Sequence, residues 1–254
     1  MILYEGPSML NGMPIVSIMT GASRNEKTGP MHQVWILHRE TKPTAAIRNG
    51  EDEAVCGTCP ARGKWCYVFR GHDQVWKAYT NDKYERLSLN SLRKAGERKT
   101  IRLGAYGDPA AVPIEVWDRL LSKAAGWTGY THMWRTCNPA LRRWCMASVD
   151  TEPEFLQAAS AGWRCFWVVP DAAAARAKYG KQAALCPHKS TGLQCLACLA
   201  CSGVGTSFSG HIIEEVHGKA TRTFRQFVAR SGVQAPGVLE HPQAVLLSDG
   251  EEEG

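Results

Sequence analysis

The sequence lacks a hydrophobic run long enough to cross a membrane. No apolar stretch approaches the roughly 20 residues that a membrane helix requires. The segment Met1–Glu5 also lacks the basic and apolar regions of a secretory signal peptide. Together, these absences predict a cytoplasmic protein with no membrane partner.

Low-complexity linkers and internal sequence repeats are also absent, so nothing in the composition divides the chain sharply. Its 254 residues can bury a proper core as one large domain, or as one domain with an appendage. The pattern predicts four regions. They are N-terminal strands and a lead-in at 1–53, a β/α partial barrel with a cluster-binding loop at 54–185, a cysteine-rich metal region with a last strand and a basic helix at 186–247, and an acidic disordered tail at 248–254.

The charge balance is basic. The formal net charge is +6 and the sequence pI is about 8.8. This surplus is compatible with a nucleic-acid partner but does not establish one. The ten cysteines are the more informative feature. In a cytoplasmic protein they favour metal binding or catalysis over disulfides.

Four cysteines fall within a short stretch, and we call them the second cysteine group. The last three follow the spacing C-x2-C-x2-C, which aims three thiolates at one point and is common in iron–sulfur ligation. Structural zinc more often uses two separated pairs, or a pair with histidines. His211 and His217 could complete a zinc site, so both metals remain open. The group consists of Cys186, Cys195, Cys198 and Cys201.

Three further cysteines, Cys56, Cys59 and Cys66, form the first cysteine group, with the spacing C-x2-C-x6-C. Neighbouring glycines and a proline predict that they lie on a loop. Three thiolates would hold a four-iron cluster with one iron open to another ligand. A structural zinc would need a fourth ligand, for which His72 is the nearest candidate.

Between and after these groups, apolar strands alternate with amphipathic helices. This alternation is typical of parallel β/α units. The right-handed crossover rule coils such units into an open sheet or part of a barrel. We therefore expect an α/β fold, a partial (β/α) barrel of about six parallel strands with a cysteine-rich C-terminal insertion.

Polar residues cluster where the predicted strands end, which is where parallel β/α folds carry their chemistry. Asp108 could instead be a turn carboxylate, and Asp150 a helix N-cap. As a row, the strand-end groups favour a site with Asp108, His132 and Asp150 as candidate catalytic residues. The full row comprises Tyr106, Gly107, Asp108, His132, Arg135, Ser148 and Asp150.

The order of these motifs resembles that of radical S-adenosylmethionine (SAM) enzymes, and most closely the small radical SAM-like proteins of bacteriophages. The resemblance rests on a three-cysteine loop, a Gly-acid-Pro strand end at 107–109, a Ser-x-Asp strand end at 148–150 and a later four-cysteine cluster. It covers roughly residues 54 to 217. The family usually has the spacing C-x3-C-x2-C and a glutamate where this chain has Asp108.

The resemblance implies one or two [4Fe-4S] clusters, SAM as a cofactor and an external electron donor. It assigns the first cysteine group to the cluster that SAM chelates, and the second group to an auxiliary cluster. Tyr106, Gly107, Asp108, Arg135 and Ser148 would then bind SAM. It further implies a phage-encoded enzyme of the host cytoplasm that modifies a nucleic-acid base or nucleotide.

Two other classes of protein remain open. One is a zinc-containing β/α-barrel enzyme resembling the tRNA-guanine transglycosylases, which would exchange a base with Asp108 or Asp150 as nucleophile. The other is a non-catalytic, metal-stapled nucleic-acid-binding protein. Its phosphate contacts would come from the basic C-terminal region, at Lys219, Arg222, Arg225 and Arg230.

Overall fold

The computed structural model describes residues 1–66, 68, 72–218 and 221–231. Lys219 and the predicted acidic tail at 248–254 lie outside these residues. The described strands are β1 (Ile2–Pro7), β2 (Pro14–Ala22), β3 (His32–His38), β4 (Thr100–Tyr106), β5 (Gly126–Thr128), β6 (Tyr130–Thr131), β7 (Met146–Val149), β8 (Cys165–Val169), β9 (Ala183–Leu185) and β10 (His211–Glu215).

The described α-helices are α1 (Pro43–Asn49), α2 (Glu53–Cys56), α3 (His72–Thr80), α4 (Leu92–Gly96), α5 (Ile114–Leu121), α6 (Glu152–Ser160), α7 (Ala172–Tyr179), α8 (His188–Thr191), α9 (Cys195–Cys198) and α10 (Thr221–Ser231). Short 3-10 turns occur at Leu89–Ser91, Pro109–Ala111, Pro139–Arg143 and Gly180–Gln182. None of the helices described here is long and apolar enough to cross a membrane.

The first sheet is mixed and has the strand order β1-β2-β3-β4-β5. Strands β1, β2 and β3 pair antiparallel, whereas β4 and β5 continue the sheet in parallel. The antiparallel pairing predicted for the two N-terminal strands is therefore present. Strand β1 adds an edge that the hydrophobic pattern did not indicate.

The second sheet contains five parallel strands in the order β6-β7-β8-β10-β9. Helix α6 connects β7 to β8, and α7 lies between β8 and β9. Thr151 and Glu154 form a reciprocal capping box at the start of α6, which satisfies backbone N–H groups that the helix leaves unpaired. The prediction of a mixed α/β fold with parallel β/α units is confirmed.

The apolar pattern of the sequence predicts a strand from Tyr130 to Arg135, and this prediction is wrong in its extent. The chain forms two short strands here, β5 and β6, and Gly129 separates them. The strand ends at Thr131 because the N–H of His132 donates to the Asp108 carboxylate (2.8 Å) rather than to a neighbouring strand. Since β5 belongs to the first sheet and β6 to the second, the two sheets meet at Gly129.

Both sheets share one hydrophobic core. The core runs from Ile2 and Ile36 in the first sheet to Val149 and Val169 in the second. Trp117 of α5 is fully buried within it and donates its indole N–H to the carbonyl of Pro109 (3.0 Å). This bond fixes α5 to the loop that follows β4, and so helps to position the strand end carrying Asp108.

Candidate functional site

One pocket brings together most of the predicted site residues. It encloses about 1180 Å³, counting its open mouth, and strands of both sheets contribute to its wall. The predicted residues that line it are Cys56, Cys59, Cys66, Tyr106, Gly107, Asp108, His132, Ser148 and Asp150.

The first cysteine group lies on the loop that begins in α2. Arg62 holds this loop by a two-pronged contact with the Asp52 carboxylate (3.1 and 2.6 Å) and by a hydrogen bond to the carbonyl of Gly57 (2.7 Å). Gly57 has a positive φ of 53°, and a Cβ there would lie 2.4 Å from the Met133 sulfur. The loop backbone is therefore fixed by specific contacts.

The three thiols of this loop lie beside charges of both signs, from Asp52 and Asp108 and from Arg62 and His132. Burial, followed by the charges of Cys59 and Cys66, raises the pKa of Cys56 well above its usual value. The carboxylates of Asp52 and Asp108 act in the same direction. At Cys56 the neutral thiol is favoured unless a cation, such as a metal centre, compensates the thiolate charge.

Asp108 connects three parts of the site. Its Oδ1 accepts from the N–H of Ala110 (2.9 Å), and its Oδ2 accepts from the N–H of His132 (2.8 Å). Its own N–H donates to the carbonyl of Val55 (2.6 Å) next to the cysteine loop. Burial raises the pKa of Asp108, while the Ala110 N–H acts in the opposite direction. Asp108 therefore caps the turn and faces the pocket.

His132 and Asp150 extend this network to the end of β7. The His132 Nε2 lies 3.5 Å from Asp150 Oδ2, and Asp150 is buried. The predicted alternative of Asp150 as a helix N-cap is wrong, because Thr151 caps α6. Burial lowers the pKa of His132, but hydrogen bonds to Asp150 and Cys59 outweigh it, and the pKa is raised well above its usual value.

Tyr106 and Gly107 form the end of β4. The Tyr106 ring stacks on His72 with centroids 4.3 Å apart, and its buried hydroxyl has no hydrogen-bond partner among the described residues. Gly107 has φ of 81°, and a Cβ there would lie 2.7 Å from the Ile36 Cβ. A buried hydroxyl without a partner in a pocket wall indicates that a ligand could satisfy it.

The structure does not bring Arg135 into this pocket. Its guanidinium is exposed, lies 4.0 Å from the centroid of the Trp134 ring and bonds Gln157 and Glu154 on α6. Because the strand ends at Thr131, Arg135 is carried past the pocket edge. Its predicted role in binding SAM has no support from this placement.

Sequence reasoning missed several polar and aromatic residues deeper in the pocket. Arg102, Gly104 and Tyr106 are alternate residues of β4. Because alternate residues of a strand share a face, all three line the pocket. Glu214 of β10 and Tyr130 of β6 also line it. The signal in the sequence that could have indicated Arg102 and Glu214 was a charged residue inside an otherwise apolar strand.

The four thiols of the second cysteine group lie near one another, and none of them lines this pocket. Burial raises the pKa of Cys201 to about 12, and the charges of Cys195, Cys186 and Cys198 contribute after it. Tyr130, which lines the pocket, hydrogen-bonds Cys201. Burial and then the nearby Glu214 raise the pKa of Cys186 to about 11.

The histidines considered as zinc ligands lie elsewhere or have other contacts. His211 uses its Nδ1 to accept the N–H of Cys165 (3.0 Å). His217 lies 3.7 Å from Glu214, and His72 stacks on Tyr106. As placed, the His, Cys, Asp and Glu side chains within the described ranges include no group of three or more that could hold a metal ion.

Helix α10 covers the first cysteine loop. Phe224 is buried against Trp65 with centroids 6.2 Å apart, and Phe227 lies 4.4 Å from the same ring. Phe224 also lines the pocket, so this helix forms part of its mouth. Arg222, Arg225 and Arg230 are exposed on the helix.

No family model, curated protein or solved structure matches this chain. The chemistry of the pocket is therefore the basis for assigning a function.

Proposed function

We propose that this chain is a SAM-dependent iron–sulfur enzyme of the radical SAM type that modifies a nucleic-acid base or nucleotide. The supporting observation is that the first cysteine group and the strand-end groups of β4, β6 and β7 line a single pocket. We also propose that the two sheets form a partial β/α barrel. Their meeting at Gly129, between β5 and β6, supports this closure.

The donor set of the first cysteine group fits an iron–sulfur cluster. All three donors are thiols, which are the ligands that iron–sulfur clusters and zinc prefer. Cys56, Cys59 and Cys66 face the same pocket, so an open coordination position would face it too. When bound, the cluster and SAM would together supply one-electron chemistry at this end of the pocket.

The chain's own residues would bind and orient SAM. The unpartnered Tyr106 hydroxyl and the Ser148 hydroxyl can donate to a carboxylate or accept from an ammonium group. The Asp108 carboxylate accepts two backbone N–H groups and a hydrogen bond from the Thr131 side chain, which leaves one lone pair that could accept from a ligand. Gly107 allows the end of β4 to pack closely against Ile36 of β3. The apolar walls, including Phe166 and Val168, would exclude water.

His132 and Asp150 would act on the substrate side. Asp150 Oδ2 lies 3.5 Å from His132 Nε2, and no other described residue makes a hydrogen bond to it. The pair can therefore hold a proton at His132 Nε2 next to the pocket. A buried carboxylate that orients a histidine in this way is a common arrangement for proton transfer.

The basic face of α10 supports a nucleic-acid substrate. Arg222, Arg225 and Arg230 are exposed on the helix whose inner residue Phe224 lines the pocket mouth. These side chains would contact phosphates while a base enters the pocket. Replacing Arg222 with Gln should weaken oligonucleotide binding and reduce its salt dependence by about one counterion. An unchanged salt slope would mean that this face is only solvated.

The decisive experiment is anaerobic purification followed by iron and sulfide analysis. Brown protein with bound iron and sulfide, whose electron paramagnetic resonance spectrum changes when SAM is added to the reduced form, supports the proposal. Cys59→Ala should remove the SAM-dependent change, whereas the control Cys137→Ala should keep it. An intact cluster with no response to SAM would contradict SAM chemistry.

The ten free thiols are compatible with the reducing cytoplasm. A colourless protein with stoichiometric zinc would instead favour the transglycosylase-like enzyme or the non-catalytic nucleic-acid-binding protein. In the transglycosylase-like enzyme, Asp150 is the better nucleophile, since both Asp108 oxygens already accept backbone N–H groups. Trapping a covalent base-exchange intermediate on Asp150 would identify that enzyme.

A further inference from the structure

Arg164 is a buried cation whose charge has no carboxylate partner in the described part of the chain. It is 4% exposed, and its guanidinium lies within salt-bridge distance of no Asp or Glu among residues 1–66, 68, 72–218 and 221–231. A buried charge without an opposite charge is costly, so its persistence calls for a physical reason.

The contacts of Arg164 tie the chain segment that carries Cys201. Its Nη1 donates to the carbonyl of Ser202 (2.6 Å), and its Nη2 donates to those of Ala200 (2.9 Å) and Gly210 (2.7 Å). Arg164 therefore bonds the backbone carbonyls of the residues on both sides of Cys201. The charges that act on the guanidinium are those of the Cys201 and Cys165 thiols.

Two further cations face the same cysteine group. Lys27 and Arg102 both act electrostatically on Cys195, and Lys27 also acts on Cys186. Glu214 is the carboxylate that acts on this group, and its Oε1 lies 3.1 Å from Lys27. Three cations against one carboxylate leave a surplus of positive charge around four thiols.

The two cysteine groups therefore differ in their electrostatic surroundings. Two carboxylates, Asp52 and Asp108, and two cations, Arg62 and His132, act on the first group, whereas three cations and one carboxylate act on the second. Four thiolates around a divalent metal ion carry a net negative charge. A surplus of positive charge would stabilise such a centre, and a negative centre would in turn compensate the buried Arg164.

We propose that Arg164, with Lys27 and Arg102, forms a cationic shell that balances an anionic metal–thiolate centre held by Cys186, Cys195, Cys198 and Cys201. Arg164 is a positioning residue, since it bonds the backbone beside Cys201 and contributes charge. This inference rests on the metal centre of the second cysteine group and is independent of SAM and of the nucleic-acid substrate.

The test is a titration of the full-length metal-free chain with Co²⁺. The first cysteine group is replaced by alanine so that only the second group supplies clustered thiolates. Arg164→Gln removes the charge, whereas Arg164→Lys keeps it and loses part of the hydrogen bonding. We expect Arg164→Gln to lower the Co²⁺ affinity about 10- to 100-fold, as loss of an outer-shell partner does, and Arg164→Lys to retain most of it. Arg119→Gln, which removes an exposed guanidinium that bonds Asn90, serves as the control and should leave the affinity unchanged.

Two outcomes separate the possible failures. Absence of thiolate-to-Co²⁺ charge-transfer absorption with Arg164 intact would overturn the metal centre itself. Equal losses of affinity in Arg164→Gln and Arg164→Lys, or no loss in either, would overturn the cationic shell and leave Arg164 as a tether. If the alanine background does not fold, the unaltered first group is kept. Bound Co²⁺ should then protect the peptide carrying Cys195, Cys198 and Cys201 from alkylation. The degree of protection compares Arg164→Gln with Arg164→Lys.

Discussion

Asp108→Asn should destabilise the protein even though the two side chains have the same shape. In the native site each Asp108 oxygen accepts one backbone N–H, from Ala110 at 2.9 Å and from His132 at 2.8 Å. An amide supplies only one oxygen. Whichever way it turns, its NH₂ group faces one of these N–H donors, so a hydrogen bond is lost and a buried donor is left unpaired.

A lost buried hydrogen bond with an unsatisfied partner costs about 1–3 kcal/mol. Burial of the charged carboxylate raises the pKa of Asp108, and a neutral amide does not carry this desolvation cost. This gain offsets part of the lost hydrogen bond, so we expect the lower half of the range. Chemical denaturation of the metal-free protein, with the slope held to the wild-type value, measures the change. Thermal unfolding should shift by about 2–4 °C per kcal/mol for a chain of this size.

Asp118→Asn is the matched control. Asp118 Oδ1 accepts from the indole N–H of Trp144 (2.7 Å), and an amide oxygen can still accept that bond. We expect a change within about 0.5 kcal/mol, as for most surface substitutions. The reasoning would be refuted if Asp108→Asn matched this control in stability while binding SAM more weakly, because its carboxylate would then serve the ligand alone.

Three further changes test other parts of the structure. Tyr106→Phe should leave the stability of the ligand-free protein within about 0.5 kcal/mol, because its hydroxyl has no hydrogen-bond partner among the described residues. It should weaken SAM binding in calorimetry by about 0.5–1.5 kcal/mol, and equal affinity would remove Tyr106 from the ligand site. Phe224→Ala removes a side chain that is 1% exposed, a loss that costs about 3–5 kcal/mol in a core. It should speed tryptic cleavage at the α10 arginines well before global unfolding, and cleavage at the wild-type rate would show that Phe224 does not hold this helix. Burial raises the pKa of Cys137 and Cys165 to about 12, so about one thiol in ten thousand is ionised at pH 8. Native alkylation mapped by mass spectrometry should therefore spare both thiols, and rapid labelling of Cys165 would contradict its burial.

The parallel β/α arrangement could be predicted because its strands are apolar and its helices have clear boundary signals. Strand β8 is a run of buried residues that Pro170 stops, and α6 begins with a capping sequence. Hydrophobic burial and capping are local effects, so a single sequence displays them.

The strand order and the shortest strands could not be predicted. Strand β10 lies between β8 and β9 although it follows both in sequence, and only their pairing decides this. Strands β5 and β9 have three residues each, too few to show a period. The end of β6 depends on Asp108, which accepts the His132 N–H from another strand.

The candidate site was predictable where spacing or position carries the information. The spacing of the first cysteine group and the strand ends indicated residues that the structure places in one pocket, including Asp108 and Ser148. Arg135 was misplaced because the prediction extended its strand too far. Glu214 and Arg102 were missed because the sequence alone does not tell which face of the sheet a charged strand residue occupies. That face is known only when the neighbouring strands are known.

The packing of α10 on Trp65 has a consequence for the order of events during synthesis. The two partners are far apart in the sequence, and the loop that carries Trp65 leaves the ribosome long before the helix that covers it. During that interval Cys59 and Cys66 lack the cover that α10 provides. A metal cofactor could reach these thiols then without displacing a folded helix. In the cell, metal would therefore bind the loop before α10 packs over it. A complete chain refolded without metal would have to take up the metal through the mouth of the already folded pocket.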